Sequence, residues 1–393
     1  MRWIPRERLE ARVAAALRNY PITLLTGPRQ CGKTTLAQRI SANRRGSYFD
    51  LEDPETPLRP EAAAAILKDL RGLVVIDEVQ RQPRLFELLR VLADRRPTRA
   101  RFLMLGSASP ALVRGISESL AGRVAYVDMG GFVLEEVGAR NWKRLWTRGG
   151  LPAAYLAPTD AGSHDWRRHF IQSFLERDVP QLGIRVPAPA LRRFWTMLAH
   201  CHAQPWNAAD LARAMGVKED TARHYLDILT GAFMVRQLMP WFENVGKRVV
   251  KSPKVYFRDS GLLHSLLGLT TAHEVLGHPR FGFSWEGFAM EHVLRTVQGE
   301  RAAYFYRTHA GAELDLLVLR RGKRYGFEFK FEDAPRVTRS MRVALQDLGL
   351  EHLWVVYSGE RALPLADRIS TLPLQAVHEL APTFQPSRSR PRG

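Results

Sequence analysis

The chain has 393 residues, of which 45% are hydrophobic and 25% charged, with a formal net charge of +18. That length exceeds one ordinary core and predicts two or three domains, and the composition is that of a soluble globular protein. The charge suits a nucleic-acid partner through phosphate neutralisation. Yet only nine of the 58 basic residues are lysine, so the excess is arginine scattered along the chain, equally in keeping with codon bias. Two cysteines, Cys31 and Cys201, exclude a disulfide framework and a cysteine-based zinc site and point to a reducing, cytoplasmic compartment. No apolar run approaches the roughly 18 residues of a membrane span, and the N-terminus lacks an apolar signal core, which argues against insertion or secretion.

In chain order, Leu9, Val13 and Leu17 lie four apart and predict an amphipathic helix over 5–18. The apolar run from Ile22 then enters Gly27-Pro28-Arg29-Gln30-Cys31-Gly32-Lys33-Thr34-Thr35, the G-x-x-x-x-G-K-[ST] spacing of a phosphate cradle. In such a loop backbone N–H groups wrap phosphate oxygens, the dipole of the following helix adds positive charge, Lys33 reaches the terminal phosphates and Thr34 can hold Mg²⁺. A second strand is predicted over 47–53 and an alanine-rich helix over 60–70.

Leu73-Val74-Val75-Ile76-Asp77-Glu78 is a buried-type strand ending in two acids. Beside a phosphate loop, Asp77 can hold the Mg²⁺ shell and Glu78 can orient or deprotonate an attacking water. The run 101–109 predicts another buried strand with a polar tip. If it lies between the two previous strands, Ser107 faces the γ-phosphate as a sensor; it can equally cap a helix beginning near Pro110. Val124 to Val127 is a fifth strand, and Arg123 before it is read as an arginine finger, a nucleotide sensor or an ordinary surface arginine.

Strands alternating with helices over 20–135 predict a parallel α/β sheet with its ligand at the strands' carboxyl ends. GPRQCGKTT, LVVIDEVQ, LMLGSAS and ESLAGRV, in this order and spacing, resemble the AAA-type ATPase domain found in many prokaryotic proteins. The resemblance implies ATP and Mg²⁺ as cofactors, Lys33 and Thr34 on the triphosphate and metal, Asp77 and Glu78 as the Walker B acids, and Ser107 as sensor. It extends to Gln80 and Arg123.

Residues 138–193 read as helical, Trp-rich and Arg-rich, and carry no chemistry above packing, Phe174 to Val179 included. Two short helices around Gly216, followed by the apolar stretch 232–235, predict a helix-turn-helix with a wing. From Lys218 to Leu229, Lys218 and Arg223 stand against Glu219, Asp220 and Asp227. A helix of slightly negative charge is a poor major-groove reader, so a structural or protein-docking role fits it better. The more basic segment 246–254 reads as a phosphate track or a solvated hairpin.

In the last third, Trp285 to Leu294 predicts a helix carrying Glu286, and 313–318 and 325–331 predict two strands joined at Arg321-Gly322. Counting outward from a two-residue turn sets Asp315 opposite Glu328 and Glu313 opposite Lys330, all on one face. Opposed carboxylates repel, and a divalent cation would compensate them, Mg²⁺ or Mn²⁺ for oxygen-only ligands. The pattern is similar to the PD-(D/E)XK nuclease core, which implies Glu286, Asp315 and Glu328 on a second metal ion and Lys330 on the water. A solvated face with a Glu313–Lys330 pair, or a retained fold without activity, accounts for the same residues. Residues 200–380 also resemble the C-terminal domain of unknown function that commonly follows this ATPase type.

The expected fold class is α/β: a P-loop parallel sheet with flanking helices over 1–137, a helical, winged-helix-like connector over 138–250 and an α/β, nuclease-like domain over 251–380. A disordered basic tail over 381–393 completes it. The expected function is Mg²⁺-dependent ATP binding and hydrolysis coupled to the C-terminal domain. That domain acts as a metal-dependent DNA nuclease or only binds a nucleic acid or protein partner. No membrane partner is expected, and an oligomer is compatible.

Overall fold

A computed structural model describes residues 3–42, 44–97, 99–107, 119–242, 252–309 and 311–384. The chain divides into two compact units, one of residues 1–132 with 151–156 and 228–234, the other of the remainder.

The first unit is built on five strands, β1 (Ile22–Gly27), β2 (Gly46–Asp50), β3 (Gly72–Asp77), β4 (Ala100–Ser107) and β5 (Val124–Asp128). All pair in parallel, in the order β2-β3-β4-β1-β5. β1 is buried along its whole length and β3 from Leu73 onward, as apolar runs must be when crossover helices cover both faces of a parallel sheet. Leu24, Val74, Ile76, Phe102 and Met104 join one core cluster with Leu85, Phe86 and Leu89 of helix Leu85–Ala93. The first helix, Glu7–Asn19, buries Leu9, Val13 and Leu17, the stripe its spacing predicts.

Two expected elements come out shorter. The second strand stops at Asp50 because its side-chain Oδ1 accepts the N–H of Glu52 at 2.8 Å, a local turn that competes with the ladder. The alanine-rich helix covers only Ala63–Leu67, since residues 60–62 are spent on turns behind Pro57 and Pro60. The helix expected near Pro110 lies outside the described residues.

The second unit carries a mixed sheet in the order β13-β14-β12-β11-β10-β9-β7-β8-β6. Its strands are β6 (Gln204–Pro205), β7 (Val235–Pro240), β8 (Lys254–Phe257), β9 (Ala303–Arg307), β10 (Glu313–Arg320), β11 (Lys323–Lys330), β12 (His352–Tyr357), β13 (Pro364–Ala366) and β14 (Ile369–Pro373). β7 pairs antiparallel with β8 and parallel with β9, so strands from both sides of residue 250 share one sheet. The β10–β11 ladder runs from Leu316–Phe327 to Arg320–Lys323, the register predicted from the turn. Arg321 (φ +52°) and Gly322 (φ +74°) both take the left-handed conformation that a two-residue type I′ turn demands.

Helices Ala208–Met215 and Glu219–Gly231 flank Gly216, whose φ of +70° ends the first. Helix Phe281–Val297 is pinned by Glu291, which takes two guanidinium hydrogen bonds from Arg236 on β7, at 2.6 and 3.2 Å, with Arg258 and Arg295 each at 3.7 Å. Burial alone would raise that carboxyl, but the three arginines outweigh it and hold it at about 2. Most of the basic segment 246–254, and the tail from 385 onward, lie outside the described residues. Among the described residues no helix is long and apolar enough to cross a membrane.

Candidate functional site

Two constellations carry chemistry, one in each unit. In the first, β1 delivers the chain into the phosphate loop and helix Lys33–Ala42 leaves it. A Cβ on Gly27 would overlap the Met129 carbonyl, so no side chain fits where the backbone must turn. Gln30 (φ +58°) and Gly32 (φ +96°) both take left-handed conformations, which rolls the loop into a concave nest of N–H groups. Arg6 clamps it from behind: its guanidinium is buried and donates to the Cys31, Gly130 and Gly131 carbonyls at 3.4, 3.0 and 3.0 Å. The Lys33 ammonium donates to the Gly27 and Pro28 carbonyls at 3.1 and 2.9 Å.

β4 lies between β1 and β3, which brings β3's acids beside the loop. The Thr34 hydroxyl donates to Asp77 Oδ2 at 2.7 Å, and Ser107 ends β4 in register with Gly27. A hydroxyl and a buried carboxylate in contact at the mouth of an anion nest form an all-oxygen set that fits Mg²⁺ bound with a triphosphate. Glu78 follows at φ +53°, a strained conformation for a residue with a Cβ, and its carboxylate accepts from Gln80 Nε2.

Sequence reasoning missed Tyr48. Its hydroxyl donates to the same Asp77 Oδ2 at 2.7 Å, and burial, then the bond to Asp77, drives its pKa far above the ordinary tyrosine value. Asp77 is thus held by two hydroxyls from two elements. No local signal marks it: Tyr48 sits mid-strand and reaches Asp77 only because β2 pairs with β3, where Tyr48 opposes Val75.

Arg123 is not brought to this site. It directly precedes β5, and the Ile22 N–H at the start of β1 bonds its carbonyl at 3.3 Å. It therefore sits at the opposite end of the sheet from the loop, about 17 Å away along β1. There Nε and Nη2 pair with Asp94 at 2.7 and 2.8 Å, so the guanidinium cannot act as finger or sensor for its own chain's nucleotide.

The second constellation gathers Glu286, Glu313, Asp315, Glu328 and Lys330, the residues expected from the hairpin and the preceding helix, and adds Lys254 from β8. Lys254 Nζ lies 2.6 Å from Glu313, 3.5 Å from Glu286 and 4.0 Å from Asp315, and Lys330 Nζ lies 3.1 Å from Glu328. The Tyr256 hydroxyl donates to Glu286 Oε1 at 2.5 Å and the Phe329 N–H to Asp315 Oδ2 at 3.1 Å. Burial, then the charge of Asp315, pushes both Glu286 and Glu328 well above the usual carboxylate range. Burial pulls the Lys254 ammonium toward its neutral form, but Glu286, Asp315 and Glu313 outweigh that and keep it charged.

This corrects one expectation and supplies a charge compensation that the sequence did not assign. Lys254 and Lys330 stand among the acids, and among the described residues no group of three or more His, Cys, Asp or Glu side chains is arranged to hold a metal ion. Lys254, read as part of a solvated or phosphate-tracking segment, is 2% exposed. Its β8 neighbours Val255, Tyr256 and Phe257 are buried as well, which draws its stem into the core.

The sheet order, the phosphate loop after β1 and the acids after β3 define an AAA-type P-loop domain, and residues 19–138 match the family model described as AAA domain. Residues 139–273 and 281–377 match two domains of unknown function, DUF8612 and DUF4143. The chain belongs to the family of the uncharacterized proteins Mb2031c of Mycobacterium bovis and Rv2008c of Mycobacterium tuberculosis. It is 48% identical to each over 374 residues, 95% of this chain and 85% of the relative. It is also similar to the Walker-type ATPase PABY2304 of Pyrococcus abyssi, at 15% identity over 67% of this chain and 96% of that one. The TM-score is 0.47, a likeness too slight to argue from.

Proposed function

We propose that the first unit binds ATP with Mg²⁺ and hydrolyses it. The observation that carries this reading is the Thr34–Asp77 contact at 2.7 Å beside the loop nest, since this is the pair with which P-loop domains hold the Mg²⁺ of a bound triphosphate. The loop N–H groups and Lys33 hold the phosphates, and Thr34 and Asp77 hold Mg²⁺. Glu78, released from Gln80, orients or deprotonates the attacking water, and Ser107 reports on the γ-phosphate. Bound Mg²⁺ supplies neutralisation of the developing charge. Phosphate release from ATP by the purified chain, dependent on Mg²⁺ and abolished by EDTA, is the expected result; no release with or without Mg²⁺ would refute it.

A second reading concerns the other unit. Convergence of Glu286, Asp315, Glu328 and Lys330 supports a nuclease-like core, while the ion pairs of Lys254 support a binding domain that retains this core without cutting. We infer the latter. The order of β6, the two helices around Gly216, β7 and β8 supports a winged-helix unit. In it Arg223 pairs with Glu219 at 3.5 Å, leaving little free positive charge and favouring a protein partner. Labelled single- and double-stranded DNA incubated with Mn²⁺ should stay intact. Cleavage that disappears in Asp315→Ala would establish the nuclease reading instead.

A further inference from the structure

The face of the first unit opposite the phosphate loop is lined by arginines in a pattern tied to the sheet itself. Arg45 directly precedes β2, Arg71 β3, Arg99 β4 and Arg123 β5. Parallel pairing sets all strand starts at one end, and backbone bonds join them. Leu73 N–H donates to the Arg45 carbonyl at 3.0 Å, Gly72 N–H to Arg99 at 3.1 Å and Ile22 N–H to Arg123 at 3.3 Å. Arg45, Arg71 and Arg99 are exposed. Arg96 and Arg101 join Arg123 in lining a cleft of about 590 Å³ on the same face, with Asp94 as the acid among them.

The other end of the sheet has the opposite character, because β2, β3 and β5 finish in Asp50, Asp77 and Asp128. The phosphate-loop end also carries arginines, but Arg81 there is paired with Glu52 at 2.7 Å.

We propose that this face binds the phosphate backbone of a nucleic acid without reading its sequence. Arg45, Arg71 and Arg99 precede three neighbouring strands about 4.8 Å apart, a row of about 10 Å that faces about three phosphates of one strand at about 3.4 Å of helix axis each. Guanidinium groups stay charged at every physiological pH and grip phosphate oxygens two at a time. The row offers strand starts and loop residues rather than a helix or ribbon to enter a groove, so it contacts backbone and not base edges. The proposal is independent of nucleotide hydrolysis at the far end of the sheet.

The experiment is fluorescence anisotropy of labelled mixed-sequence DNA duplexes between 50 and 200 mM salt, with wild type and the exposed-site variant R45Q/R71Q/R99Q. Each lost phosphate contact removes about 0.9 from the slope of log affinity against log salt, so the variant's slope should be shallower by about 3. Affinity should fall by the same factor for duplexes of unrelated sequence. An unchanged thermal midpoint verifies that the variant folds. An unchanged slope, an equal loss in the control R140Q/R168Q/R192Q, or failure of wild type to bind at 50 mM salt would overturn the proposal. Competition by polyglutamate as strong as by DNA of equal charge would also overturn it and assign the face to acidic proteins.

Discussion

Lys33→Ala is expected to weaken ATP binding by roughly 10- to 100-fold, the worth of charge-assisted hydrogen bonds to phosphate. The fold should survive, because among the described residues the Lys33 ammonium donates to the Gly27 and Pro28 carbonyls of its own loop. Glu78→Gln should behave differently. Among the described residues its carboxylate accepts from Gln80, so the variant should bind ATP like wild type and turn over about 100-fold more slowly or worse, the usual loss when a general base is removed. Titration with a fluorescent ATP analogue separates binding from turnover, which a phosphate-release assay measures. Tyr48→Phe falls between the two, since it removes one of the two hydroxyls on Asp77 while leaving Thr34 in contact. ATP turnover unchanged in both Lys33→Ala and Glu78→Gln would refute the assignment of the site.

The second large effect is expected from Lys254→Met. The side chain is 2% exposed and its ammonium faces Glu313, Glu286 and Asp315. Removing one partner of a buried charge network leaves the others uncompensated and costs about 3–5 kcal/mol. Urea unfolding at neutral pH should show that loss. Adding Glu286→Gln should recover part of it, because one of the stranded carboxylates is then neutral and keeps its bond from Tyr256. Millimolar Mn²⁺ tests the remaining question. A rise in the unfolding midpoint of Lys254→Met, absent in wild type, would identify the cluster as a cation site that the lysine fills. No rise would leave the lysines as the compensation these acids require. A stability equal to wild type would refute the network.

The first unit was legible where its chemistry is contiguous. Gly27 to Thr35 is a loop whose mechanics need neighbouring residues, and Asp77 and Glu78 end a run whose burial its own composition announces. The position of Arg123 was also readable in principle. A residue directly ahead of a parallel strand must lie at the end away from a loop that follows another strand, and proximity in the motif order obscured that rule. Tyr48 was not readable, because its role depends on β2 pairing with β3 rather than with β1. In the second unit the hairpin register followed from Arg321-Gly322 and so fixed the acids on one face. Lys254 escaped because it belongs to a basic run, and the feature that buries it is the pairing of β8 with β7 and β6, strands distant in the chain.

Sequence by itself determined the phosphate loop, the acids of β3, the parallel α/β class and the β10–β11 register, all governed by short-range periodicity, turn chemistry and spacing. Tertiary structure decided what lies beside what. It set β4 between β1 and β3, two hydroxyls on Asp77, an arginine row at the strand starts, and a lysine among the carboxylates where sequence logic expected a metal ion. The physical reason is that strand order and long-range pairing depend on how whole elements bury their apolar faces. Charged side chains then find partners that no local pattern names.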